Sequence, residues 1–308
     1  MTTGLYTHPV CIEHDTGRHH PERPDRLRYV LDGLDDPAFA ALDRREAPLA
    51  TREQIALAHP MVHVDEVLGA VPATGLAMLD GDTVVSPKSG EAALRAAGAV
   101  IAAVDSVMAG EMTNAFCATR PPGHHAEAAQ SMGFCLFNNV VIAAHHARVA
   151  YGLRRIAVMD FDVHHGNGTQ HLFEADRGLF YASTHQMPLY PGTGAVAERG
   201  VGNIVNAPLR PGAGSEEFRA AMTGIVLPAI RSFDPEFLII SAGFDAHRDD
   251  PLGGLNLDEA DYAWATAELC AIAADCCERR VVSTLEGGYD LGALRDSAAA
   301  HVLALMTA

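Results

Sequence analysis

The stretch Asp160-Phe161-Asp162-Val163-His164-His165-Gly166-Asn167-Gly168 sets two acids and two histidines within six positions, and it decides how the chain reads. Upstream, Arg155-Ile156-Ala157-Val158-Met159 is a short apolar run rich in β-branched residues, the composition of a buried strand. Downstream, Gly166 and Gly168 mark a backbone leaving regular structure, so the acids and histidines fall at a strand's C-terminal end. Ligands of open α/β sheets bind there. An Asp two residues before a His suits a divalent cation, offering one carboxylate oxygen and one imidazole nitrogen. A lone pair of that kind would be read as a capping Asp beside a surface His; the density here favours a site.

The same pattern recurs along the chain. Apolar strands are expected at 4–8, 114–119, 155–159, 179–184, 237–242 and 281–285, and helices at 24–34, 89–110, 137–151, 215–233 (Ser215 as N-cap) and 257–278, with two short helices in 51–70 flanking Pro60. Residues 75–87, with Asp80 and Asp82, read as a loop. Strands that are apolar throughout and alternate with helices predict an α/β fold: one domain over 1–308, a central parallel sheet with helices on both faces.

Four of those strands end in polar sets: His124-His125, Asp160/Asp162/His164, Asp245 and Tyr289. A parallel sheet brings such ends to one edge. Each has an ordinary account as a loop histidine, a helix cap or a core aromatic, but coincidence at four equivalent ends is a poor explanation. Asp162, His164 and Asp245 would form a three-ligand metal site with room for water, the arrangement of a catalytic zinc. His124 and His125 would supply acid and base, Asp160 would orient His124, and Tyr289 would donate to a developing oxyanion. The chemistry these imply is metal-assisted hydrolysis of an amide.

Composition narrows the class. The 308 residues are 48% hydrophobic and 20% charged, as in ordinary globular proteins, and the formal charge of -17 disfavours nucleic acid as a partner while favouring cationic ligands. No secretory signal is read at Met1–Pro9 and no apolar run reaches membrane-spanning length, so no membrane partner is expected. The six cysteines show no CxxC spacing and read as reduced thiols, placing the chain in the cytoplasm.

Taken in order, His20-Pro21-Glu22-Arg23-Pro24-Asp25-Arg26, Arg120-Pro121-Pro122-Gly123-His124-His125, Gly133-Phe134-Cys135-Leu136-Phe137-Asn138-Asn139, Asp160 to Gln170, Ser241-Ala242-Gly243-Phe244-Asp245-Ala246-His247 and Leu285-Glu286-Gly287-Gly288-Tyr289 resemble the zinc-dependent histone deacetylase family, its class II branch in particular. The resemblance implies an arginase-like fold, one zinc ion on Asp162, His164 and Asp245, His125 as general base, His124 assisting, and Tyr289 polarising an acetyl carbonyl. It implies a tunnel walled by Phe134 and Tyr190, with Gly133, Leu252 and Asp82 as further substrate contacts. It also implies potassium beside the zinc at Asp160, Asp162, His164, Ser183 and Thr184, and a second potassium at Phe173, Asp176, Leu179 and Asn203. Asn167 stands where the class I pattern has Asp, so His125 is expected to lack a carboxylate partner. A second metal of the arginase type has no ligands here.

The substrate implied is an acetylated lysine side chain of a protein or peptide. The alternative is an acetylated polyamine, toward which Glu22, Asp80 and Asp82 would point and apolar Leu252 would not. A non-catalytic acyl-lysine binder would have lost a ligand, a histidine or Tyr289, and a structural metal site would want four ligands with Cys. Sequence leaves open whether the chain forms a homo-oligomer.

Overall fold

The computed structural model describes residues 2–308. Its strands are β1 (Thr3–Thr7), β2 (Asp43–Glu46), β3 (Ala77–Met78), β4 (Val84–Val85), β5 (Asn114–Cys117), β6 (Ile156–Asp160), β7 (Leu179–Gln186), β8 (Ile204–Leu209), β9 (Phe237–Ala242) and β10 (Val281–Leu285). Eight of them form one sheet in the order β2-β1-β5-β10-β9-β6-β7-β8. Every pairing in it is parallel.

The apolar runs are continuous because both faces of the sheet are covered. Alternate residues of β9 enter different cores: Leu238 and Ile240 one, Phe237 and Ile239 the other. The first core packs against helices Pro24–Leu34, Glu259–Cys276 and Leu291–Thr307; the second packs against Ser89–Met108 and Asn139–Tyr151. At roughly 1.5–3 kcal/mol for each large apolar side chain buried, these two layers supply the main driving force for folding. Among the described residues no helix is long and apolar enough to cross a membrane.

Several local expectations are corrected. Residues 75–87 are not all loop: β3 and β4 pair as a small antiparallel ribbon that presents Asp80 and Asp82 at its turn. Ser215 is not the N-cap; Gly214 is, and the Ser215 hydroxyl donates to Asp261 Oδ2 at 2.5 Å. The 215–233 helix is interrupted by a π-helical segment, Met222–Val226, just before Pro228, whose missing N–H cannot serve a regular ladder. The sheet also gains both its edge strands, β2 and β8, from stretches not expected to be strands.

The topology decides where the chemistry lies. β5, β10, β9 and β6 are consecutive neighbours in the middle of the sheet, and the segments leaving their C-terminal ends carry His124 and His125, Tyr289, Asp245, and Asp162 with His164. Residues far apart in sequence therefore converge at one edge.

Candidate metal centre and active site

Asp162, His164 and Asp245 are buried, and one ligand atom from each lies within 4.8 Å of the others. His164 Nδ1 stands 3.1 Å from Asp162 Oδ1 and 3.1 Å from Asp245 Oδ2. The backbone fixes both carboxylates: Gly287 N–H donates to Asp162 Oδ2 at 2.9 Å, and Val163 N–H to Asp245 Oδ1 at 2.8 Å. Gly287 is needed for space, because a Cβ there would lie 2.1 Å from Asp245 Oδ2 and 2.5 Å from Asp162 Oδ2.

Without a cation this cluster is electrostatically frustrated. Burial, reinforced by the Asp162 charge, pushes Asp245 up to about 7. Burial acts downward on His164, but Asp162 and Asp245 outweigh it and push the imidazole up to about 10. Two anions and an imidazole in a dry pocket bind protons only for want of a better cation. The donor set of two carboxylate oxygens and one nitrogen, with the carboxylates oriented by N–H groups, fits zinc.

The paired histidines have opposite partners. His124 Nδ1 lies 3.0 Å from Asp160 Oδ2, whose acid also accepts from the Tyr181 hydroxyl at 3.0 Å. Burial lowers His124, but Asp162 first and then Asp160 overcome it and push the group up to about 10. His125 Nδ1 meets Asn167 Oδ1 at 2.8 Å. Glu127 settles the orientation of that amide: its Oε1 can only accept, and Asn167 Nδ2 donates to it at 2.6 Å. Asn167 therefore turns its oxygen to His125, Nδ1 carries the proton, and the Nε2 lone pair is left free. Burial, then the charges of His124 and His164, hold His125 well below the usual histidine range.

The Asn167→Asp variant is expected to raise the His125 pKa by giving its imidazolium an anionic neighbour. The acidic limb of the kcat/KM profile should then move to higher pH by about 1–3 pH units. A pH–rate profile that leaves that limb in place contradicts the assignment of His125 as the titrating base.

A cavity of about 240 Å³ opens above these groups, lined by Asp82, His125, Gly133, Phe134, His164, Leu189, Tyr190, Leu252 and Tyr289. A larger one, about 590 Å³, lies at the other end of the strands around Thr2, Met112 and Arg280 and contains none of this chemistry. Gly133 and Phe134 both have left-handed backbones, with φ of 56° and 69°. A Cβ on Gly133 would lie 2.5 Å from the His125 ring, so only glycine fits. The strained pair is tied down by the β3–β4 ribbon: Gly133 N–H donates to Asp82 Oδ1 and Phe134 N–H to Thr83 Oγ1, each at 3.1 Å. Opposite, Tyr190 packs edge-on to His125, with ring centroids 5.1 Å apart.

Tyr289 is held from both sides. Asp250 Oδ2 accepts its N–H at 2.7 Å, and the Arg26 guanidinium lies 4.8 Å from its ring centroid while donating to the carbonyls of Gly288 and Glu286. Burial chiefly keeps the phenol well above its ordinary pKa, against the pull of Arg26, so it remains an O–H donor. Glu22 does not face any substrate. It is fully buried and paired with Arg26 and Arg120; burial pushes it up, but Arg120 above all brings it down to about 2.

Sequence reasoning missed Glu286, Asp250 and Glu127. Glu286 Oε2 accepts from the N–H groups of Gly123 (2.7 Å) and His124 (3.2 Å), and so fixes the histidine loop to the tyrosine loop. A buried acid closing an apolar strand was the available signal. The residues expected at the two potassium sites divide. Asp160 and Ser183 are register partners on β6 and β7, and Thr184 Oγ1 is buried without a hydrogen-bond partner among the described residues. At Phe173, Asp176 and Leu179, by contrast, the Asn203 amide nitrogen already occupies the point where the carbonyls meet.

Comparison with known proteins agrees with this geometry. Residues 20–305 match the histone deacetylase domain model. The chain is 38% identical to a probable deacetylase of Archaeoglobus fulgidus over 96% of this chain and 83% of the relative. It is 36% identical to a histone deacetylase-like amidohydrolase of Pseudomonas aeruginosa over 93% and 81%. The crystal structure of the HDA15 HD domain superposes with a TM-score of 0.94 at 35% identity, covering 99% of this chain and 90% of that one. This chain belongs to the histone deacetylase domain family, as a deacetylase or amidohydrolase whose candidate metal centre is Asp162, His164 and Asp245.

Proposed function

We propose that the protein hydrolyses the amide bond of N-ε-acetyl-lysine in proteins or peptides and releases acetate. The cavity carries this reading: its walls, Phe134, Leu189, Tyr190 and Leu252, suit an aliphatic stem, and its floor, His125, His164 and Tyr289, suits an acyl amide. A zinc ion on Asp162, His164 and Asp245 would acidify a water and polarise the acetyl carbonyl. His125 takes the water's proton on Nε2 as the oxygen–carbon bond forms. Tyr289 donates its hydroxyl hydrogen bond to the developing oxyanion. The carbon–nitrogen bond then breaks, and the leaving amine takes a proton from the histidine pair, of which His124 is held by Asp160. Potassium at Asp160, Asp162, His164, Ser183 and Thr184 belongs to the same reading, supported by the Asp160–Ser183 register and the unpartnered Thr184 hydroxyl. A cytoplasmic setting is supported by the six cysteines, all free thiols.

An acetylated polyamine is the second reading, favoured by Asp82 at the cavity and by the formal charge of -17. The deciding comparison is kcat/KM for an acetyl-lysine peptide against N-acetylputrescine, with zinc content measured. Preference for the peptide supports the first reading, and preference for the polyamine replaces it. Leu252→Glu is expected to move the ratio toward N-acetylputrescine by about two- to fivefold, the scale of one partly exposed ion pair. An unchanged ratio would show that residue 252 does not contact the distal ammonium.

A further inference from the structure

We infer that Asn203 replaces the second monovalent cation of this fold with a side-chain amide, so that the Phe173–Leu179 loop is closed by the chain itself. The carbonyls of Phe173, Asp176 and Leu179 point at one buried spot between helix Asn167–Phe173 and β7. Asn203 Nδ2 sits there, donating to them at 2.8, 3.0 and 2.7 Å. The other end of the amide is identified independently, since Asn203 Oδ1 accepts the Val201 N–H at 3.1 Å. That contact fixes which atom is nitrogen. Inward-turned carbonyls in a dry loop need a positive partner, which is either an ion or N–H groups. Backbone N–H groups reach two of the oxygens, Asp176 N–H at Phe173 O (3.0 Å) and Leu179 N–H at Asp176 O (3.1 Å), while the amide's two N–H bonds reach all three, one hydrogen being shared, and its nitrogen fills the centre an ion would need.

The surrounding contacts hold this arrangement in place. Leu179 N–H closes the loop on Asp176 O at 3.1 Å, and the Asp176 side chain accepts from Gly178 N–H at 2.8 Å and from Arg148. From the other side Tyr181 N–H bonds Asn203 O at 3.1 Å, and Val201 N–H bonds Glu174 O at 2.9 Å. The amide is thus delivered by β8, whose first residue follows Asn203, onto the start of β7. A neutral donor in place of an ion makes this corner of the sheet indifferent to the salt in solution. The inference rests on the fold and on these contacts, and it stands whichever acyl substrate the active site takes.

Crystals of the wild-type protein soaked in thallium(I), an anomalous scatterer that substitutes for potassium, test it directly. No thallium is expected among the carbonyls of Phe173, Asp176 and Leu179, and a peak there overturns the inference. Asn203→Ala vacates the centre, and its melting temperature in potassium chloride should exceed that in N-methylglucamine chloride at equal ionic strength. That gap should be larger than the wild-type gap by about 2–4 °C or more. A variant that folds but gains no added response to potassium also overturns the inference. Should the variant not fold, the thallium experiment decides alone.

Discussion

Asp245→Ala is expected to strip the metal and with it essentially all turnover. Asp245 is one of three side chains that meet at the centre among the described residues, and its Oδ2 is the oxygen that faces His164. Loss of a supporting hydrogen-bond partner costs a metal site roughly 10–100-fold in affinity, and loss of a ligand must cost more. The fold should survive. In the metal-free protein Asp245 is pushed up to about 7 by burial and by the Asp162 charge, so removing it relieves a repulsion, which offsets the loss of the Val163 N–H bond and of the 3.1 Å contact with His164 Nδ1. Metal per chain after dialysis, measured beside a melting curve, separates the outcomes. Full retention of zinc in a folded variant would place the ligand elsewhere.

Tyr289→Phe is expected to lower kcat by about 10²–10³, the effect of removing one oxyanion donor, with metal content and folding unchanged. The phenylalanine ring keeps the Arg26 stacking at 4.8 Å, and the backbone keeps its bond to Asp250, so the variant deletes a hydroxyl and little else. Near-normal turnover would refute the role assigned to that hydroxyl.

These expectations draw on features that the sequence displayed with uneven clarity. The runs Ile156–Asp160, Phe237–Ala242 and Val281–Leu285 are apolar because each is buried on both faces, and their ends carry the polar residues of the site. That logic could be read directly. The edge strands could not. β2 is Asp43-Arg44-Arg45-Glu46, whose charges suit an edge strand facing water, and β8 contains Pro208, tolerated because an edge strand need bond on one side only. Helix Asn167–Phe173 begins inside Gly166-Asn167-Gly168, which read as a break; here the break and the helix start coincide.

Side-chain roles divided in the same way. Residues whose chemistry is conspicuous, such as the paired histidines, could be placed at the site from type and position. Residues that act by holding others could not. Glu127 orients the Asn167 amide, Glu286 joins two loops through backbone N–H groups, and Glu22 is neutralised by Arg26 and Arg120 rather than offered to a ligand. Such assignments require knowing which atoms meet. Asn203 is the sharpest case: the resemblance implied a place beside a potassium ion, and its side-chain amide donates to the three carbonyls.

On the proposed mechanism, one metal ion on Asp162, His164 and Asp245 supports hydrolysis of an acetyl-lysine amide. Titrating chelator-stripped protein with zinc while following acetate release from an acetyl-lysine peptide puts this to the test. Activity should be lost on stripping and should rise linearly to a plateau at one zinc per chain. Acetate release that survives complete removal of metal, or a plateau that requires two ions per chain, would contradict it.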